Sequence, residues 1–157
     1  MKKRRSLLAI LLHAPTCVYT LGFGWMLGKR FLLLTHTGRR SGSRHQTVLE
    51  VMEYRDNGPE VIVMSGFGRN ANWLRNIEAT HSAETDIGSH HFTAAYRFLP
   101  DQEAIEVVRG YESRNRFMGW IVRLVLSRLL GWKYRGSDSD HQRLVEQLPL
   151  IAFRPRP

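Results

Sequence analysis

Two tight-turn sequences, each set between strand-like segments, constrain the fold of this chain more than any other feature. Asp56-Asn57-Gly58 follows a strand predicted over 47–54 and precedes one predicted over 61–65, and Gly88-Ser89 divides the stretch 83–99. Asn-Gly between two such segments is a strong signal for a β-hairpin. Because hairpins join neighbouring strands in opposite directions, the sequence predicts an antiparallel sheet and not a parallel βαβ sheet.

The remaining segments complete the prediction of an α+β fold. A strand over 30–37 precedes the first hairpin, and a strand over 148–154 closes the fold. Helices are predicted over 70–79, from Asp101 onward, and over 117–132, where apolar residues recur at three- and four-residue spacing. Strands, then helices, then a closing strand indicate a small antiparallel barrel with attached helices.

The length of 157 residues is enough for one domain with its own core and too little for two. We therefore expect a single domain over 1–157. It has an N-terminal helical segment over 1–29 and a helical insertion over 100–135, between the last hairpin and the closing strand.

The N-terminal segment combines a basic start with 23 uncharged residues, Ser6 to Gly28. A bilayer span needs about 20 apolar residues, but His13, Pro15 and several glycines interrupt this run. A helix that packs on the domain, or lies on a membrane surface, is therefore favoured over a span or a signal peptide. With only one cysteine, Cys17, the sequence favours a cytoplasmic protein, with the inner membrane face as the alternative.

A basic turn between the first two strands carries the clearest functional signal. The chain has 23 Lys+Arg against 14 Asp+Glu, and Arg39, Arg40 and Arg44 lie within six positions. Three guanidinium groups in one turn repel one another until an anion neutralises them, and each can bind a phosphate or carboxylate through two hydrogen bonds. With the hydroxyls of Ser41 and Thr47, this turn is predicted to bind an anion.

A glycine-rich loop after the third strand is the second candidate. Ser65-Gly66-Phe67-Gly68 would let a flat ligand approach the backbone closely, although an ordinary strand-to-helix loop with Trp73 in the core explains the pattern equally well. The histidines show no spacing suited to a metal site, so no metal is expected. No nucleophile motif indicates a hydrolase, and no DNA-binding helix or RNA-stacking motif indicates a nucleic-acid partner.

Three motifs in order resemble the deazaflavin-dependent nitroreductase family. They are Phe31-Leu-Leu-Leu-Thr-His-Thr-Gly-Arg-Arg-Ser-Gly-x-Arg-x-x-Thr, then Val61-Ile-Val-Met-Ser-Gly-x-Gly, then Asn72-Trp73-x-x-Asn76-Ile77-x-Ala79. The resemblance implies a split β-barrel similar to FMN-binding barrels, and coenzyme F-420 as the cofactor. It also implies hydride transfer from that cofactor to a quinone, a nitroaromatic or an activated alkene.

The resemblance assigns roles to individual residues. Arg39, Arg40 and Arg44 would hold the phosphate and acidic tail of the coenzyme, with hydroxyl contacts from Ser41 and Thr47. The deazaflavin ring would be lined by Val63, Met64, Ser65 and Gly66, and the loop that shapes the site would be braced by Trp73 and Asn76. An FMN- or haem-binding barrel and a non-catalytic basic lipid-binding module remain alternatives.

The sequence departs from the family before the last strand. A tyrosine-rich substrate-binding segment in the family is replaced here by Phe117–Trp132 and a polar loop, which leaves Tyr134, and less strongly Tyr111, as candidate proton donors. The segment Phe117–Trp132 has the aromatic and basic ends of an interfacial helix. It could equally pack in the core or form a homodimer contact.

Overall fold

The computed structural model describes residues 28–157, so nearly all of the predicted N-terminal helical segment lies outside the described residues. Within that range the chain forms six strands and four α-helices. The strands are β1 (Phe31–Thr37), β2 (Arg44–Arg55), β3 (Glu60–Met64), β4 (Ala83–Ile87), β5 (His90–Phe98) and β6 (Leu150–Pro155). The helices are α1 (Asn72–Thr80), α2 (Asp101–Arg114), α3 (Gly119–Leu130) and α4 (Asp138–Gln147).

The six strands close into an antiparallel barrel in the order β1-β2-β3-β6-β5-β4. Both predicted hairpins are present, β2 with β3 and β4 with β5. The last strand, β6, closes the ring by pairing with β3 on one side and β5 on the other, for example Val61 with Phe153 and Phe98 with Ile151. The α+β barrel class predicted from the sequence is confirmed.

Alternation along the strands produces two separate cores. Inward-facing side chains, among them Leu32, Leu34 and Phe153, fill the barrel and pack beneath α1. The intervening residues of β3 and β6, such as Ile62 and Leu150, face outward and pack against α2, α3 and α4. A strand period of two residues therefore supplies both a barrel interior and a floor for the helices.

A cluster of ion pairs fastens α2 to the barrel. Arg97 of β5 donates to both Glu60 of β3 and Glu103 of α2, at 2.8–3.0 Å. Arg55 of β2 donates to the same two carboxylates. Hydrogen bonds from Arg97, reinforced by Arg55, lower the pKa of Glu103 to about 2. The positive charges of both arginines are thus matched within the fold.

The helical layer differs from the prediction in two ways. The predicted polar loop around 136–140 continues into α4, which begins with a capping box. The Ser137 hydroxyl accepts from the Asp140 amide, and the Asp140 carboxylate accepts from the Ser137 amide. The helix predicted over 117–132 is shorter, since α3 spans Gly119–Leu130, and its buried residues are Leu126 and Leu130. None of the helices within 28–157 has the length and apolar character to span a membrane.

Candidate functional site

A cavity of about 400 Å³ lies where the β1–β2 turn meets the start of α1. Six of the residues predicted to bind the cofactor line it: Arg39, Arg40, Ser41, Thr47, Trp73 and Asn76. His36, His45, Gln46 and Asn72 complete most of the wall. The structure therefore brings the basic turn and the third sequence motif together in one site, which we call the arginine-turn cavity.

Two glycines make this turn possible. An added Cβ at Gly38 would lie only 2.6 Å from Ser41 Oγ and 2.8 Å from His45 Nε2, so a side chain there would displace both of these groups. Gly42 has a φ of +66°, which strongly favours glycine. The turn closes with hydrogen bonds from the Gly38 amide to Ser43 O and from the Gly42 amide to Gly38 O, both 2.8 Å. Its shape is therefore fixed before any ligand arrives.

Arg39 is held across the cavity by α1. Its backbone amide and its Nη1 both donate to Asn76 Oδ1, at 3.2 and 2.8 Å, and its Nη2 donates to Asn72 Oδ1 at 3.4 Å. These acceptors are neutral amide oxygens, so the guanidinium is oriented without losing its charge. Arg40 is exposed on the rim, and no carboxylate within 28–157 lies at ion-pair distance from either arginine.

Asn76 also forms a hydrogen bond with a buried histidine, His36. Since a guanidinium only donates, the Asn76 oxygen must face Arg39, and its Nδ2 then donates to His36 Nδ1 over 3.1 Å. His36 Nδ1 is thereby the acceptor, so the ring proton is on Nε2 and is donated to Thr47 Oγ1 over 3.2 Å. The Thr47 hydroxyl already accepts one hydrogen bond, and its own proton is left for a group in the cavity.

His36 can play this part because it is neutral. It follows Leu32 and Leu34 on the inward-facing side of β1 and is only 4% exposed. Burial, together with the stacked ring of His45 at a centroid distance of 5.8 Å, lowers the pKa of His36 to about 4. At neutral pH its Nδ1 is therefore free to accept, as the hydrogen-bond chain from Arg39 to Thr47 requires.

Arg44, the third arginine of the predicted cluster, lies outside the arginine-turn cavity. It begins β2 and donates from Nη2 to Glu84 Oε2 of β4 at 2.7 Å. Both side chains of this pair are substantially exposed, so the pair is screened by water. Arg44 is thus separated from Arg39 and Arg40 by its partner, and its predicted contact with the coenzyme tail stays a prediction.

The predicted ring-lining segment also lies outside this cavity. Val63 and Ser65 are fully buried, and Ser65 Oγ donates to Gly68 O at 2.6 Å. Met64 is partly buried against the outer core. Gly66 lies under α3, since a Cβ added there would come within 3.4 Å of Leu129. The glycine loop is therefore packed against the helical layer, while the arginine turn opens beside α1.

Tyr134, the predicted proton donor, is 2% exposed in the outer core. Its hydroxyl donates to Glu112 Oε1 at 2.8 Å, and the other oxygen of Glu112 is bonded to His141 Nε2 at 2.9 Å. Burial and this carboxylate raise the pKa of Tyr134 well above its usual value. Tyr134 therefore joins the loop before α4 to α2, apart from the arginine-turn cavity, and its catalytic role stays a prediction.

Sequence reasoning missed His36 and His45 because it tested the histidines only as metal ligands. No group of three or more candidate metal ligands occurs within the described residues. The missed signal was positional, since counting outward from the turn makes these two residues direct partners across β1 and β2.

Tyr111, the weaker candidate proton donor, is also bonded to a carboxylate. Its hydroxyl donates to Glu50 at 2.6 Å, and burial raises its pKa.

Comparison with solved structures finds several similar chains. A structure of an F420-H2 dependent reductase, FDR-A, is 17% identical over 82% of this chain and 96% of its own, with a TM-score of 0.46. A protein of unknown function from Agrobacterium tumefaciens is 12% identical over 92% of this chain and 56% of its own, with a TM-score of 0.54. A pyridoxamine 5'-phosphate oxidase-related, FMN binding protein from Nostoc punctiforme is 12% identical over 99% and 81%, with a TM-score of 0.42.

No curated protein matches the chain. The model of a protein family does, however, and it is described as F420H(2)-dependent quinone reductase. It matches residues 16–115, a span that contains both hairpins, the arginine turn and α1. The chain therefore belongs to the F420H(2)-dependent quinone reductase family.

Proposed function

We propose that this oxidoreductase transfers a hydride from reduced coenzyme F-420 to an electron-poor acceptor. A quinone is the first choice because the family is described by that acceptor. Nitroaromatics and activated alkenes are included because they are also electron-poor. The observation that carries the proposal is the arginine-turn cavity, where Arg39 and Arg40 have no carboxylate partner within the described residues. An anionic cofactor would supply the negative charge that these two arginines do not receive from the described part of the chain.

The donors of the cavity fit the acidic end of this coenzyme. Its deazaflavin ring is joined through a phosphate to a tail of glutamates, and the wall offers guanidinium groups, the hydroxyls of Ser41 and Thr47, and a fixed glycine turn. Charge-assisted hydrogen bonds from guanidinium to phosphate or carboxylate are the strongest kind available to such a site. Arg39 and Arg40 would hold the tail, and Arg44 would join them only by releasing Glu84.

The ring is assigned to the segment Val63, Met64, Ser65 and Gly66, as the family resemblance implies. Because Val63 and Ser65 are fully buried, contacts with a ring would come from Met64 and Gly66, which are partly exposed. When bound, the reduced coenzyme supplies a hydride, and a quinone that accepts it needs one more proton to become a quinol. The protein would orient the two molecules and exclude water.

Tyr134 is kept as the candidate donor of that proton. Its raised pKa means that the hydroxyl is protonated at neutral pH, but the proton is already donated to Glu112. Tyr134→Phe removes only the hydroxyl, and a catalytic role predicts a fall in turnover with unchanged coenzyme affinity. Unchanged turnover, with a loss of stability alone, would leave Tyr134 a structural residue.

The protein is proposed to be cytoplasmic, with the inner face of the membrane, where it could reach a membrane quinone, as the alternative. A homodimer is also proposed. The two alternatives to the redox assignment, an FMN- or haem-binding barrel and a lipid-binding module, predict different ligands for the arginine-turn cavity. Binding measurements therefore separate them.

The deciding experiment is a titration of the protein with oxidised coenzyme F-420, followed by quenching of its fluorescence, with FMN and haem titrated in parallel. Replacing both Arg39 and Arg40 by Ala removes two charge-assisted contacts of about 1.5–3 kcal/mol each. Affinity for F-420 should then fall about a hundredfold or more. The control is Arg75→Ala, which removes an exposed arginine of α1 outside the cavity.

Three outcomes would contradict the proposal. Equal affinity in the double variant and the parent would remove the tail from the arginine-turn cavity. An equal loss in Arg75→Ala would mean that only overall charge matters. Tighter binding of FMN or haem than of F-420 would favour the flavin- or haem-binding alternative.

A further inference from the structure

The outer surface of α3 and of the turn before it exposes an unusual number of large apolar side chains. Phe117 is 86% exposed, Trp120 69% and Leu124 56%, and Met118, Val125 and Leu129 are exposed to a lesser extent. Soluble proteins seldom expose neighbouring aromatic and aliphatic side chains in this way without a partner for them. We call this surface the α3 face.

Packing of the helix does not require these side chains. Leu126 and Leu130, on the other side of α3, anchor it to the outer core, and Val122 is packed against the same core. The exposed residues therefore add little to the stability of the fold. Something other than the described part of the chain must account for them.

Cationic side chains border the α3 face, and no acidic residue lies among them in the sequence. From 116 to 135 the sequence contains five cations and neither Asp nor Glu: Arg116, Arg123, Arg128, Lys133 and Arg135. All five line an open groove of about 950 Å³ together with Trp120 and Leu124. Glu112, which lies near Arg123, has both of its oxygens bonded to Tyr134 and His141.

This combination selects among the partners that could cover the face. A second copy of the chain would bring the same five cations against these five, which charge repulsion disfavours. The uncharged segment 6–28 of this chain would leave the cations unneutralised. An anionic lipid surface offers apolar depth for the aromatic side chains and phosphates for the cations, so it satisfies both halves of the face.

We propose that the α3 face docks on an anionic lipid bilayer. Phe117, Trp120 and Leu124 enter the boundary between head groups and acyl chains, while Arg123 and Arg128 contact lipid phosphates. With 12 residues, α3 is about 18 Å long, too short to cross a core of about 30 Å, so it lies in the plane of the membrane. This proposal goes beyond the redox assignment and does not depend on it.

Flotation with lipid vesicles tests the docking. The full chain is mixed with vesicles of phosphatidylglycerol and phosphatidylcholine in equal parts, or of phosphatidylcholine alone, at low and at high salt. We expect binding only to the anionic vesicles, and release of the protein by salt. The emission of Trp120 should shift to shorter wavelength on binding, and this part of the change should disappear in Trp120→Phe.

Two pairs of substitutions locate the surface, because the basic N-terminus could also bind lipid. Replacing Trp120 and Leu124 by Ser should weaken binding about tenfold or more, and replacing Arg123 and Arg128 by Gln should do the same. All four side chains are exposed, so the fold should be retained, which thermal melting checks. Arg75→Gln, an exposed arginine elsewhere, is the matched control.

The outcomes divide cleanly. Loss of binding in both α3 pairs but not in the Arg75 control supports the proposal. Binding that is unchanged in both pairs overturns it and assigns any lipid contact to another segment. A change from dimer to monomer in the Trp120/Leu124 pair, measured by light scattering with vesicle binding unaffected, would also overturn it and make the α3 face a contact between copies.

Discussion

Arginines at two ends of the barrel differ in what holds them. Arg55 and Arg97 are each bonded to carboxylates, with donor–acceptor distances of 2.6–3.0 Å, whereas Arg39 is bonded to the amide oxygens of Asn76 and Asn72. The first pair has its charge matched inside the fold. Arg39 has its geometry fixed and its charge left over. The comparison teaches that the partner of an arginine, more than its position in a basic cluster, separates a structural role from a binding role.

The largest expected effects come from removing one arginine of each kind. Arg97→Ala removes bonds to Glu60 and Glu103 and should lower the free energy of unfolding by about 2 kcal/mol, a value reduced because a third of the side chain is exposed. Arg39→Ala should leave stability nearly unchanged and weaken F-420 binding at least tenfold. Denaturant unfolding and fluorescence titration of both variants measure this. If both variants lost the same property, the comparison would fail.

Acid should weaken the carboxylate-paired region in a defined range of pH. The folded pKa of Glu103 is about 2 and its ordinary value is 4.5, so its stabilisation is complete above about 4.5 and is lost as the pH falls towards 2. In Glu103→Gln, the loss of unfolding free energy over this range of pH should be smaller than in the parent by about 1–2 kcal/mol.

Two comparisons isolate this effect. Glu106→Gln, an exposed carboxylate on the same helix, should leave the curve unchanged. His36 adds its own loss of stability as the pH falls from about 6.5 to about 4, because only the unfolded chain takes up that proton easily, and this loss is common to both variants. An acid response in Glu103→Gln equal to that of the parent would refute the assignment.

The amide-held arginine depends on Asn76. Asn76→Ala removes two of the three hydrogen bonds that Arg39 donates to α1 and leaves the buried His36 Nδ1 without its donor. Stability should fall by about 1–2 kcal/mol and F-420 affinity about tenfold. Asn72→Ala, which removes one longer bond at an exposed site, is the matched control and should change both quantities less. Equal effects in the two variants would argue against a chain of hydrogen bonds through Asn76.

The smallest expected effect is at the far end of that chain. Thr47→Val should weaken F-420 binding by about threefold to tenfold, because one hydroxyl donor is lost, and Thr47→Ser should restore the affinity. The same titration measures both variants. Failure of Ser to restore binding would mean that the methyl group, rather than the hydroxyl, serves the ligand.

Local patterns in the sequence were enough to predict the barrel. The Asp56-Asn57-Gly58 and Gly88-Ser89 turns each determine which strands are neighbours, and both hairpins are present. Helix α4 was missed because its first turn is polar, although Ser137 and Asp140 have the spacing of a capping box. The buried side of α3 could not be read from spacing alone, since apolar residues occur around most of that helix.

The site was predictable in part for a similar reason. Residues close together in sequence, such as Arg39, Arg40 and Ser41, line one cavity because a single turn carries them. Arg44 belongs to the same turn in sequence, but its partner Glu84 is 40 positions away on β4, and that pairing depends on strand register across β1. Predicting the role of His36 would have required both the strand register and the position of α1.

The closed order of the six strands has one more consequence. Pairing does not run the full length of every strand: residues 44–50 of β2 pair with β1 and residues 51–55 with β3, while residues 90–93 of β5 pair with β4 and residues 94–98 with β6. Two strands therefore join the two halves of the ring, each by changing partner midway along its length. Both halves depend on the continuity of these two strands, so a break in either one would open the barrel.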